Sequence, residues 1–232
     1  MKKVVSALVL VFVVTVGAFA NDLFFVMEEG KSMTTALLNR GRGKPIGYVH
    51  WTVKSVEGSG DNRAITYVGQ ELDKKRRPVG DAIEHTVNIV DGDVEVCWLT
   101  LGFGESFNDL AFAVAVDGNI RIPSELTPGS AIEDSHVYIN VATGTDDMGM
   151  DFRARISLTD QKCVGIERVR VPAGTFEAYK VTAVITASVT ANLTQTRNIT
   201  AWYARGVGPV KIDTYDERGR LLLSRVLYEK AR

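Results

Sequence analysis

Residues 181–194 hold a two-residue period that few folds can use. Val181, Ala183, Ile185, Ala187, Val189, Ala191 and Leu193 fall on one parity; Thr182, Thr186, Ser188, Thr190, Asn192 and Thr194 fall on the other, broken only by Val184. Only an extended strand sends alternate side chains to opposite faces, so this run predicts a long strand with one buried face. Just upstream, Glu167, Val169 and Val171 alternate with Arg168 and Arg170 in the same way. Between the two runs stands Pro172-Ala173-Gly174-Thr175-Phe176. Pro172 presets φ for a turn and Gly174 accepts positive φ, so the chain reverses there. A one-residue slip in this hairpin would carry threonines inward. Gly174→Val is therefore expected to be costly. Gly60→Val, in the loop Gly58-Ser59-Gly60-Asp61, is expected to be tolerated as a change at a loop tip.

The same grammar recurs along the chain. Turn signals at Arg40-Gly41-Arg42-Gly43, Asp91-Gly92, Asp117-Gly118-Asn119, Pro128-Gly129 and Arg218-Gly219 separate runs rich in Val, Ile, Thr and aromatics. Many short strands at regular spacing predict an all-β, antiparallel, strongly curved sheet, barrel-like or two-layered, with little helix. Asp91-Gly92 is the sharpest two-residue hairpin signal. One helical turn is expected at residues 105–110 and another at 130–134. The charged turns beginning at Arg40, Asp73 and Asp216 resemble one another and read as a repeated hairpin device.

The first 20 residues read as a secretory signal. Lys2 and Lys3 precede an apolar run over residues 4–16, and Ala18-Phe19-Ala20 offers a cleavage site before Asn21. Residues 1–20 are thus a signal peptide and 21–232 one β-barrel-like domain, opening with a short lead-in over residues 21–30. The product is expected to be periplasmic or secreted, and not membrane-spanning once the signal is removed. Acidic residues outnumber basic ones, 28 to 27, and losing Lys2 and Lys3 widens the difference. That balance argues against a nucleic-acid partner, which calls for a clustered basic surface. The run Lys74-Lys75-Arg76-Arg77 beside Pro78 reads as a charged hairpin tip. Cys97 and Cys163 are open to pairing in an oxidising compartment, or to simple packing.

Sites are sparse. His50 and His136 fall on polar strand parities and read as solvated. His85 shares the apolar parity with Ile83, Val87 and Ile89, as a buried histidine or a polar group inside a ligand cavity would. Trp51, Trp98 and Trp202 sit in strand-like runs that suit either a core or a concave binding face. His85, Trp51, Trp98 and Trp202 are thus the candidate ligand-binding residues. No metal-ligand spacing, nucleophile elbow or phosphate loop is present, so no catalytic residue, metal or cofactor is expected. The acidic stretch Asp146-Asp147-Met148-Gly149-Met150-Asp151 lacks the pattern of a calcium loop.

Four stretches carry a family likeness. They are Ile122-Pro123-Ser124-Glu125-Leu126-Thr127-Pro128-Gly129-Ser130, the turn around Pro172, Gly174 and Phe176, Trp202-Tyr203-Ala204-Arg205-Gly206-Val207-Gly208-Pro209-Val210-Lys211, and Tyr215-Asp216-Glu217-Arg218-Gly219-Arg220-Leu221. Their order and spacing resemble the TapB family of exported bacterial proteins, grouped with domain of unknown function 3108. Pro172, Gly174, Phe176, Trp202, Gly206 and Gly208 are its structural motif residues. The resemblance implies a β-barrel-like domain outside the cytoplasm and no activity; its shape is similar to the LolA/LolB lipoprotein carriers, a curved sheet around an apolar cavity. The expectation is a non-enzymatic binding module for a lipid-like or envelope-derived ligand. The alternative is a structural or assembly protein of the envelope that acts through sheet edges or loops. A cavity walled by Ala and Val would favour the first, and a core filled by Trp and Phe the second.

Overall fold

The computed structural model describes residues 24–41, 43–96, 113–143, 150–190 and 193–230. Thirteen strands are found there: β1 (Ser32–Asn39), β2 (Gly47–Ser59), β3 (Asn62–Asp73), β4 (Ile83–Val90), β5 (Asp93–Val96), β6 (Ala113–Asp117), β7 (Ile120–Ile122), β8 (Ser135–Thr143), β9 (Met150–Val171), β10 (Gly174–Thr190), β11 (Leu193–Ala204), β12 (Gly208–Tyr215) and β13 (Leu221–Glu229). No helix occurs among the described residues. All thirteen strands form one antiparallel sheet in the order β6-β8-β9-β10-β11-β12-β13-β1-β2-β3-β4-β5-β7. Two meanders meet where β13 pairs with β1. The two ends of the sheet approach each other as well: the Arg121 amide of β7, at one end, donates to Ser135 Oγ of β8, next to the other end (3.4 Å). The result is a nearly closed barrel, the architecture that leaves few sheet edges bare.

The alternation on β10 does what its period requires as far as Ala187, but the run expected to continue to residue 194 is cut short. Strand β10 ends at Thr190, which pairs with Leu193 of β11, so Leu193 already belongs to the next strand. Val181, Ala183, Ile185 and Ala187 are buried in the barrel interior, opposite Ile199 and Ala201 of β11 and Cys163, Leu158 and Ile156 of β9. The β4–β5 hairpin closes through Asp91 (φ 51°) and Gly92 (φ 87°), with Val90 facing Asp93. Two successive positive φ values give the primed turn that suits strand twist.

Two features of the long β9–β10 hairpin go beyond its period. First, β9 carries two extra residues, near Asp160 (φ 52°) and at Val164. Each bulge bends the strand and reverses which parity faces inward. Val164 and Ile166 are both exposed. Second, the bent hairpin folds its tip over the outside of the barrel. The Ala173 amide donates to the Leu227 carbonyl of β13 (3.3 Å). Val169, Val171 and Ala178 then bury against Ala36, Tyr48, Trp202, Ala204, Val226 and Leu227. A second apolar cluster thus covers the outer face, and it takes Trp202 while Ala201 and Tyr203 go to the interior.

The tip is a two-residue turn, Pro172-Ala173, with Val171 facing Gly174. Gly174 has φ 141°, where an L side chain is strained although only Phe176 ring carbons lie near its would-be Cβ, at 3.8 and 3.9 Å. Gly60 is not the strain-free site that a loop tip suggests, because it sits at φ 60°. Gly165 is, with no atom within 4 Å and no positive φ. Gly174→Val is expected to lower stability by about 2 kcal/mol, and Gly165→Val to leave it nearly unchanged. Urea midpoints for the pair decide whether the tip sets the register.

Other expectations change on inspection. Residues 130–134 form no helix: Ala131 bridges Lys162 and the Ile132 amide donates to the Gln161 carbonyl (2.9 Å), which holds the segment extended beside β9. Residues 105–110, Trp98, Cys97 and residues 146–149 of the acidic stretch lie outside the described residues, and its last two, Met150 and Asp151, open β9. Cys163 has a free, buried thiol, and burial pushes its pKa up.

The charged turns are a repeated device in atomic detail. In one, Asp73 accepts from the amides of Lys75 (2.7 Å) and Arg77 (2.9 Å) and from the Arg77 guanidinium. In the other, Asp216 accepts from the amides of Arg218 (2.9 Å) and Arg220 (2.8 Å) and from Arg220 Nε (2.6 Å). The fourth residue takes positive φ in both, as Arg76 (φ 62°) and Gly219 (φ 72°). The Arg76 guanidinium is held over the Tyr48 and Tyr228 rings and against Glu229 (2.9 Å). The turn that starts at Arg40 is built differently, from Arg40 and Gly41 at positive φ without a capping aspartate.

The Arg77 amide and guanidinium hold the Asp73 carboxyl at about 2, below its ordinary value. A depressed carboxyl pKa stabilises the fold above the unfolded value, near 3.9, and the benefit fades as pH falls toward 2. Wild type should therefore lose urea resistance more steeply than Asp73→Asn between pH 4 and pH 2. Parallel slopes would mean that the Asp73 turn does not persist in solution.

Candidate functional site

The barrel interior is entered by the segment that precedes β1. Phe24, Phe25, Val26 and Met27 are all buried in the main core. Phe24 is fully buried, with edge-on contacts to Tyr179 (ring centroids 5.4 Å) and Tyr203 (6.1 Å). The Arg205 guanidinium lies over both the Phe24 ring (4.9 Å) and the Tyr179 ring (5.4 Å). The Tyr67 hydroxyl donates to the Val26 carbonyl. Gly208, at φ 101°, lets the Phe24 carbonyl approach within 3.1 Å of where a Cβ would stand. Residues 24–27 are thus not a lead-in but an internal strap. Its signal in the sequence was the run of five consecutive apolar residues from Leu23 to Met27, with no charge or turn former among them.

Beside the strap lies a narrow cleft lined by Phe25, Met33, Thr35, Trp51, Tyr67, Pro209 and Arg225. Its free space of about 30 Å³ is room for roughly two water molecules. The walls are mostly apolar. At one place Arg225 Nη1 donates to Thr35 Oγ1 (3.1 Å), which puts a cation in the lining. Trp51 pairs with Gly69 across β2 and β3, and the indole lies over that glycine. Tyr67 comes from the next inward position on β3, facing Val53 and His85. Burial raises the pKa of Tyr67 and of Tyr203, so both hydroxyls stay neutral.

The predicted site residues divide. Trp51 and His85 come together, ring centroids 5.5 Å apart. His85 is half-buried and burial lowers its pKa. Ile83, on the same parity, is 57% exposed. The reason is local: β5 pairs only with residues 87–90 of β4, so the start of β4 has no neighbour on that side among the described residues. Trp202 lies on the opposite face of the sheet. Its Nε1 donates to Glu167 Oε1 (2.6 Å), and Lys211 and Lys180 stand over its ring at 4.5 and 5.5 Å. It belongs to the packing under the hairpin tip, with Phe176, and not to the cleft. Gly206 (φ 68°) turns the chain between β11 and β12. His50 accepts or donates at Thr34 Oγ1 (3.0 Å) and His136 at Ser157 Oγ (3.1 Å), both away from the cleft. Among the described residues, no three His, Cys, Asp or Glu side chains are grouped to hold a metal ion. Sequence reasoning did not find Phe25, Tyr67 or Arg225.

This barrel defines a known class. The chain belongs to the DUF3108-like family, whose profile matches residues 28–227. No curated protein matches it. A solved protein of Bacteroides fragilis NCTC 9343, described as exported and of YmcC-like fold, superposes with a TM-score of 0.73 at 21% identity, covering 90% of this chain and 99% of the other. A protein of Parabacteroides distasonis ATCC 8503, described as a lipoprotein, gives 0.72 at 19% identity, covering 90% and 98%. At these identities the likeness is one of fold.

Proposed function

We propose that this chain is a non-catalytic exported protein of the TapB branch of its family, cleaved before Asn21, that binds an apolar or envelope-derived ligand inside the barrel. The observation that carries the reading is the cleft itself: aromatic and aliphatic walls from Phe25, Met33, Trp51 and Tyr67, with the Arg225 guanidinium among them. Such a lining suits an apolar body with an anionic or polar end. His85 stands behind Trp51 as a support. The structural relatives described as exported or lipoproteins fit an envelope setting.

The free space is small for a ligand. A second reading follows from that, and a cleft walled by aromatic rings rather than by Ala and Val counts in its favour: an envelope assembly protein whose interior is packing only, filled by Phe24, Phe25, Ile65, Tyr67 and Tyr203. Native mass spectrometry of protein purified from its own host separates the two. The binding reading expects a stoichiometric small molecule that is lost in a Trp51→Ala variant that stays folded. Ligand-free protein that co-purifies with an envelope polypeptide through its outer surface would favour the assembly reading and sink the first.

A further inference from the structure

We propose that the channel holding residues 24–27 is a recognition site for an extended apolar peptide, and that this chain's own segment is its resident occupant. The inference deepens the interior-binding reading and rests on it. It names the ligand class: an aromatic-bearing peptide of the Phe-Phe-Val-Met kind, presented by another polypeptide.

Three observations carry it. The channel recognises backbone as well as bulk. The Tyr67 hydroxyl donates to one carbonyl of the occupant, at Val26, and Gly208 gives up a side chain where another, at Phe24, draws near. An acyl chain would use neither. The channel also recognises a ring: Phe24 sits among Tyr179, Tyr203 and the Arg205 guanidinium. Finally, the occupant is held by burial and not by a ladder. Among the described residues, 24–27 pair with no strand and make no backbone–backbone hydrogen bond; the first such bonds come at Gly30, to Val53, and at Lys31, to Glu28. A turn through Glu28 and Gly30 (φ 77°) links the strap to β1. The strap can therefore leave while the sheet keeps all its ladder bonds. An incoming segment of like chemistry restores the lost apolar burial, so exchange approaches balance. The cleft beside Phe25 then opens only as far as the strap withdraws, which accounts for its small free space.

The test uses the mature chain and a fluorescent peptide reproducing residues 21–29. Anisotropy should report saturable one-to-one binding to the Phe24→Ala variant, at least ten-fold tighter than to wild type, whose own strap competes. A peptide with alanine in place of both phenylalanines should bind neither. A folded variant that binds the peptide no better than wild type overturns the proposal. So does a variant that takes up oleate but not peptide, because the channel is then an acyl site. If Phe24→Ala does not fold, hydrogen exchange on wild type decides. Amides of residues 24–27 should exchange at least ten-fold faster than those of β10, through local opening. Exchange of both together, only on global unfolding, overturns it. A missing host ligand with peptide binding intact fails only the small-molecule reading; a host ligand with locked strap amides fails only this one.

Discussion

Phe24→Ala is expected to lower the unfolding free energy by about 3–5 kcal/mol, the range for removing a buried phenylalanine ring from a core. Phe24 stands only four residues after the predicted cleavage site, where chain ends are usually loose and tolerant of change. Its surroundings say otherwise. The ring is fully buried, meets Tyr179 and Tyr203 edge-on, and is capped by Arg205. Edge-on aromatic pairs add about 0.5–1.5 kcal/mol each beyond area burial, so the loss should sit high in the range. Truncation also leaves a void between β10, β11 and the Gly208 turn that the barrel cannot close, because each of its walls is a paired strand. Ile83→Ala is the contrast, an equal-sized question on a side chain 57% exposed, and should cost within about 0.5 kcal/mol. Urea denaturation of the two variants gives the answer. Equal midpoints would mean that residues 24–27 are not inside the barrel in solution.

Much of the barrel was legible because its cause is local. The β10 alternation up to Ala187, the Asp91-Gly92 turn and the Pro172-Ala173-Gly174 reversal each follow from a few neighbouring residues, and each is found where the residues put it. The reversal between Thr190 and Leu193 is not, because the same alternation runs on through it without a glycine or proline. What could not be read has non-local causes. The bulges near Asp160 and at Val164 add one residue each and reverse the parity of β9, so period counting cannot be carried through them. Trp202 has the same strand setting as Trp51, yet it faces outward, because the curled hairpin tip supplies cover on the outer face. The Arg225–Thr35 contact in the cleft joins residues 190 positions apart and exists only because β13 returns to β1. Of the candidate site, the sequence therefore yielded Trp51 and its neighbour His85, whose parities are set within β2 and β4. It missed the strap, since an unpaired apolar tetrapeptide looks the same whether it lies in a core or belongs to a leader.

Gly69→Val should cost about 3 kcal/mol, at the top of the overpacking range. A Cβ at Gly69 would stand 2.4, 2.8 and 2.9 Å from three ring carbons of Trp51. Contacts that close are not sustained, so either the indole or the strand must move. The indole has little freedom. It is 8% exposed, directly faces Met33 on β1, and has the His85 ring 5.5 Å away. Strand β3 has less, since it is paired along its length with β2 and from Arg63 to Gly69 with β4. The absence of a side chain at Gly69 is therefore what lets a tryptophan form the cleft wall at this row. A double-mutant cycle tests that cause directly. In a Trp51→Ala background the obstruction is gone, and a β-branched residue suits a strand. Gly69→Val should then be nearly neutral or stabilising, with a coupling of about 2 kcal/mol or more between the two positions. If Gly69→Val costs the same with and without the indole, Trp51 does not lie over Gly69, and the cleft it walls is not the one described.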